Sequence, residues 1–185
     1  MVYSWDSGVC SVSDLEHWSE DLRFGLCVGD ASVKLMLEEC VRARSRETGG
    51  ILIGHYSDGH DCAIVDRVTS PSIDSKFGST WFYRGVNGLQ RMLDHYWRQG
   101  EGFYLGEWHF HPSAAPTPSP KDHNSMRRIA GSYLYNCPEP VLFIIGGDPH
   151  GRWSTSATVF PRGKTPAVLA AATHAGKKVE ERISR

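Results

Sequence analysis

At 185 residues, with 40% hydrophobic and 22% charged residues, the chain is long enough to bury the core of one domain and has the make-up of an ordinary globular protein. A formal net charge of −1, with no block of Lys or Arg, supplies no electrostatic footprint for nucleic acid. No stretch approaches the roughly eighteen apolar residues of a membrane span, and MVYSWDSGVC lacks the basic and apolar regions of a signal peptide. A cytoplasmic protein that engages neither nucleic acid nor membrane is therefore expected.

In chain order, residues 1–20 show no readable periodicity and are taken as an N-terminal extension. Leu22, Phe24, Leu26 and Val28 alternate, the pattern of a half-buried strand over 22–28, and Asp30 stands where a helix N-cap would. Val33, Met36, Leu37, Cys40 and Val41 then recur at the spacing of an amphipathic helix. Thr48-Gly49-Gly50 is read as the break that ends that helix, and Ile51-Leu52-Ile53 as a strand covered on both faces. Asp58-Gly59 predicts a hairpin turn into an antiparallel strand over 62–68, before a Ser-, Pro- and Gly-rich loop over 69–79.

Val86, Leu89, Leu93, Tyr96 and Trp97 share one side of a second helix, ended by Gly100 and Gly102. A strand over 103–111 puts Phe103, Leu105, Glu107, His109 and His111 on one face, with Trp108 and Phe110 turned to the core. Ser119 and Pro120 occupy the N-cap and N1 positions of a third helix, with Asp122 in its first turn. Strands at 141–145 and 153–160 are expected to pair, and the Ala-rich tail, 163–185, is expected to be helical. Helices alternate with strands, two pairs of which are hairpin-linked. That pattern predicts an α/β fold, a single domain over 21–162 with a curved mixed sheet flanked by helices. Five cysteines, odd in number and without a C-x-x-C pair, argue against a disulfide framework and a cysteine zinc knuckle.

The chemistry concentrates in EWHFHPSAAPTPSPKD, from Glu107 to Asp122, together with Glu47 in ETGGILIG. Two imidazoles and one carboxylate are a sufficient protein set for a catalytic zinc, which keeps a position open for water. Zinc lowers the pKa of that water from about 15.7 to about 7. A carboxylate such as Glu47 then accepts its proton and returns it to the leaving amine, while a hydroxyl such as Ser119 steadies the oxyanion. Taken singly, each signal has a plainer meaning. Ser119-x-x-Asp122 is by itself a helix start, Glu47 after Arg44 and Arg46 suits a solvated helix end, and Glu107 serves equally as an orienting group or a structural carboxylate. The joint order and spacing favour the metal site. His55, His60, His123 and His150 are read as non-ligands.

At Glu47, His109-Phe110-His111-Pro112, Ser119 and Asp122 the chain resembles the JAMM (JAB1/MPN/Mov34) metalloprotease family, from about residue 22 to 160. The resemblance implies a single MPN/JAB-like domain and a zinc held by His109, His111 and Asp122, with Glu47 and Ser119 as catalytic groups. It also implies hydrolysis after the C-terminal glycine of a ubiquitin-like protein, cut from its conjugates or its precursor. The G-E-W-H-x-H-P wording is most similar to deconjugating peptidases of bacterial anti-phage operons that carry E1- and E2-like proteins. Processing of a sulfur-carrier protein, and a non-catalytic MPN scaffold, are the alternatives. Thermolysin-type H-E-x-x-H, deaminase P-C-x-x-C and G-x-S-x-G elbow signatures are missing from the sequence.

Overall fold

The computed structural model describes residues 14–172. They form β1 (Leu15–Trp18), β2 (Gly25–Val28), α1 (Asp30–Ala43), β3 (Thr48–Tyr56), β4 (Cys62–Val68) and a short β5 (Lys76–Phe77). Then come β6 (Phe82–Tyr83), α2 (Leu89–Gln99), β7 (Phe103–Pro112), α3 (Pro120–Gly131), β8 (Val141–Gly147), β9 (Trp153–Val159) and β10 (Ala167–Ala171). The expected α/β domain with its curved mixed sheet is present, and the sheet curls until it closes. The strand order is β1-β10-β9-β8-β7-β3-β4-β2, with β5 and β6 paired separately. Pairs β2/β4 and β7/β8 are parallel, and a β1/β2 hairpin completes the barrel.

Closure overturns two expectations about the ends. Leu15–Trp18, assigned to an N-terminal extension, is a barrel strand, and Ala167–Ala171, assigned to a helical tail, is the strand beside it. Alanine favours helices only by tenths of a kcal/mol per residue. Here β1 and β9 leave a gap whose backbone groups need partners, and an extended segment satisfies them. The domain thus reaches past both ends of 21–162. Residues 1–13 of the extension and 173–185 of the tail lie outside the described residues.

Other differences are local. Leu22 adopts φ 56° in a turn closed by its amide on Ser19 O at 2.9 Å, so the strand starts only at Gly25. Gly29, not Asp30, is the N-cap of α1; Asp30 sits in the first turn and pairs with Lys34 at 2.6 Å. Thr48, Gly49 and Gly50 belong to β3, and α1 is ended instead by Arg44 at φ 60°. Cys40, Cys62 and Cys137 are buried free thiols and Cys27 is disulfide-bonded, so the described residues carry no disulfide framework.

The central strands β3, β7 and β8 are covered on both faces. Leu52, Trp108, Phe110, Phe143 and Ile145 pack with Val33, Met36 and Cys40 of α1. Ile51, Ile53, Tyr104, Leu142 and Ile144 pack with Met126 and Ile129 of α3 and Leu89, Met92 and Leu93 of α2. The β3/β7 register shifts so that Leu52 faces Gly106 while Ile53 faces Tyr104, leaving Leu105 as an extra residue. That irregularity moves Leu105 to the α1 side with Trp108 and Phe110. Glu107 and His109 emerge on the opposite side, toward α3. The single-face pattern expected for all of 103–111 therefore holds only beyond the bulge.

Candidate metal centre

Asp122 is fixed by the start of its own helix. Ser119 caps α3, its Oγ accepting from Asp122 N at 3.2 Å, while the Ser119 amide donates back to Asp122 Oδ2 at 2.8 Å. This reciprocal pair is a capping box. The Ser119 hydroxyl also donates to Asp122 Oδ2, at 2.7 Å. With Oδ2 committed to Ser119, Oδ1 turns to β7 and lies 3.2 Å from His109 Nδ1. One ligand atom each from His109, His111 and Asp122 falls within 4.8 Å of the others.

Two imidazole nitrogens and a carboxylate oxygen, converging from a strand and a helix start, are a donor set that a divalent cation such as zinc accepts. The electrostatics agree. Burial alone would lower the His109 pKa, yet hydrogen bonds to Asp122 and Glu107 reverse this and raise it to about 9. Burial likewise opposes ionisation of Asp122, but bonds from His109 and Ser119 hold it well below the usual carboxylate range. The pocket is built to surround positive charge.

Glu47 precedes β3. Gly49 pairs with His109 across the β3/β7 ladder, so Glu47 lies toward the His111 end of β7, its amide anchored on Gly78 O at 2.8 Å. Burial, assisted by Asp122, raises its pKa against the opposing pull of His111 and His109. The strands approach closely here because Gly49 has no side chain. A Cβ at that position would lie 2.2 Å from Trp108 O and 3.1 Å from His109 Cδ2.

Phe82 of β6 stands edge-on to His109, ring centroids 5.8 Å apart. A cleft of about 440 Å³ opens on His109 and Asp122, walled by Phe82, Arg84, Lys121, Arg128 and Tyr135. No residue of the 69–79 loop, expected as a wall, lines this cleft; that flank is formed by Phe82 and Tyr83 of β6, which pairs with β5. The loop after β7 does not line this cleft; its Pro116 carbonyl accepts from Ser156 Oγ on β9.

Glu107 is buried, with Oε2 3.4 Å from His109 Nε2 and Oε1 2.8 Å from Arg84 Nε. Arg84 and Tyr135, whose hydroxyl accepts from Arg84 Nη2 at 3.2 Å, escaped the sequence reading. They stand in separate loops with no spacing to join them. His123 packs edge-on to Phe160 at 5.3 Å, and His55 pairs with Asp66 at 2.8 Å, outside the ligand group.

Residues 30–158 match the model of the prokaryotic homologs of the JAB domain, and the chain belongs to that family. It is 44% identical over 159 residues to the CD-NTase/cGAS isopeptidase of Enterobacter hormaechei subsp. hoffmannii, covering 86% of this chain and 88% of that one. A protein of the same description from Vibrio cholerae serotype O1 is 32% identical, over 65% of this chain and 74% of its own. A probable metalloprotease of Sinorhizobium fredii is 26% identical, over 76% and 92%. The solution structure of a Desulfitobacterium hafniense protein superposes with a TM-score of 0.54 at 18% identity, over 78% of this chain and 88% of that one, and shares the fold. The family resemblance and the single-domain MPN/JAB-like α/β fold are thus borne out. Among the described residues no helix is long and apolar enough to cross a membrane.

Proposed function

We propose that the chain is a cytoplasmic zinc isopeptidase that hydrolyses the bond after the C-terminal glycine of a ubiquitin-like protein. It frees the modifier from its targets or trims its precursor, within a bacterial anti-phage operon whose E1- and E2-like proteins build the conjugate. The observation that carries this reading is the convergence of His109, His111 and Asp122 within 4.8 Å, with Glu47, just before β3, brought toward the His111 end of β7 by the β3/β7 register. The isopeptidases among its relatives support the substrate class.

His109, His111 and Asp122 would hold the zinc, which when bound supplies Lewis acidity toward the scissile carbonyl and toward water. Glu47, more basic than a free glutamate because it is buried, accepts a proton from the attacking water as the new C–O bond forms. It delivers that proton to the lysine or backbone amine as the C–N bond breaks. Ser119, hydrogen-bonded to Asp122, serves as the hydroxyl donor for the developing oxyanion. To serve there, its hydrogen swings away from Asp122 Oδ2. The modifier's extended tail adds along the edge of the β5/β6 hairpin, beside Phe82, where main-chain bonds secure a strand of any sequence.

The test combines elemental analysis with cleavage of a defined modifier–target conjugate, on protein purified without chelator or histidine tag. Wild type and Glu47→Ala are expected to carry roughly one zinc per chain, Asp122→Ala to lose it, and both variants to lose cleavage. Wild-type protein that takes up no zinc after reconstitution overturns the reading. So does zinc-loaded wild type that leaves intact a conjugate cut by another family member.

A further inference from the structure

Behind His109 runs a chain of contacts that a metal ligand set does not by itself require. Glu107 precedes His109 by two residues on β7, so their side chains share a face. Glu107 Oε2 lies 3.4 Å from His109 Nε2, and Glu107 Oε1 accepts from Arg84 Nε at 2.8 Å. Arg84 is held in turn by Nη2 on the Tyr135 hydroxyl at 3.2 Å and Nη1 on Gly85 O at 3.3 Å. The Arg84 and Glu107 side chains are 10% and 7% exposed. A carboxylate so buried is tolerated only when paired and hydrogen-bonded. Here the pairing leaves one oxygen for the imidazole.

The other edge of the ring faces the ligand cluster. His109 Nδ1 lies 3.2 Å from Asp122 Oδ1. Zinc–ligand bonds of about 2.0–2.1 Å at tetrahedral angles place neighbouring ligand atoms roughly 3.3 Å apart, a separation that this pair of atoms matches without rearrangement. Glu107 itself is unsuited to be a further ligand, because the Arg84 guanidinium against it repels a cation.

We infer that Glu107, clamped by Arg84, is a positioning residue that fixes the His109 tautomer: it accepts the Nε2–H and thereby presents Nδ1 to the metal. This rests on the zinc-site reading above and adds to it the nitrogen used and the residues that select it. Arg84 and Tyr135 act one and two contacts further back, holding the carboxylate beside the ring. Carboxylate support of this kind typically changes metal affinity by about 10–100-fold.

Two measurements on the full chain decide it. Long-range proton–nitrogen NMR of the zinc-loaded wild type should show His109 with a protonated Nε2 and a metal-bound Nδ1; a metal-bound Nε2 overturns the inference. Chelator competition should show Glu107→Gln binding zinc about 10–100-fold more weakly than wild type, with its zinc-free circular dichroism unchanged. Wild-type affinity in Glu107→Gln overturns the inference as well. Should that variant fail to fold, the nitrogen assignment in wild type decides alone. Wild type that takes no zinc defeats the metal-site reading itself, whereas wild type that binds zinc through Nε2 defeats only the tautomer.

Discussion

Ser119 carries two duties that separate experimentally. Its Oγ accepts from the Asp122 amide and donates to the Asp122 carboxylate, so it both starts α3 and aims a metal ligand. Loss of an N-cap hydroxyl costs about 1 kcal/mol, which in a chain of this size lowers Tm by roughly 2–4 °C. Ser119→Ala is expected to show that drop in a metal-free thermal melt, and Ser119→Thr, which keeps the hydroxyl, to show little of it. If Ser119 also serves the oxyanion, Ser119→Ala loses turnover far beyond what this small stability loss explains while retaining most of its zinc. A variant whose cleavage rate falls only in step with its zinc content would assign Ser119 to ligand orientation alone.

At the scale of elements, β7 matters through one irregularity. Gly106 sits at the bulge where Leu105 is left over, and a Cβ there would lie 1.9 Å from Val141 O and 2.7 Å from Val141 N. Those atoms belong to the backbone of the parallel neighbour β8 and have no rotamer to escape into. Gly106→Ala is expected to force β7 and β8 apart and destabilise the protein by about 3 kcal/mol or more, with loss of the histidine geometry. A denaturant midpoint equal to wild type would show that the bulge does not set the register. The same bulge marks the limit of what could be read from sequence. H-x-H and S-x-x-D were legible because alternation on a strand and capping at a helix start are decided within a few residues. The sidedness of Leu105 was not, because the extra residue exists only relative to β3. Arg84 and Tyr135 were hidden for a related reason: they reach Glu107 from separate loops, and only the folded chain brings them together.

Across the whole molecule the same distinction separates the middle of the barrel from its seam. Ile51-Leu52-Ile53 and the 141–145 run declare themselves by continuous apolar character, whereas β1 and β10 are strands through pairing with β2 and β9 and with each other, which closes the barrel. His17 sits in that seam, 1% exposed, edge-on to Phe143 at 5.7 Å, with Nε2 3.1 Å from Thr155 Oγ1 and Nδ1 without a hydrogen-bond partner among the described residues. Burial pushes its pKa down to about 4, from an ordinary value of 6.5, so the fold favours the neutral ring. The unfolded chain takes up the proton first as pH falls. The stability His17 contributes is therefore complete above pH 6.5, declines between about 6.5 and 4, and is spent below. A difference of that size corresponds to roughly 3 kcal/mol. His17→Leu removes this titration while keeping the site apolar. In zinc-free protein, the loss of unfolding free energy between pH 7 and pH 4 should be smaller in His17→Leu than in wild type by about that amount. Referring both proteins to the same pH interval cancels the carboxylates and the His109 cluster, which titrate alike in each. Parallel pH profiles would mean that the seam opens to solvent before His17 is protonated, and that closure of the barrel does not depend on a neutral His17.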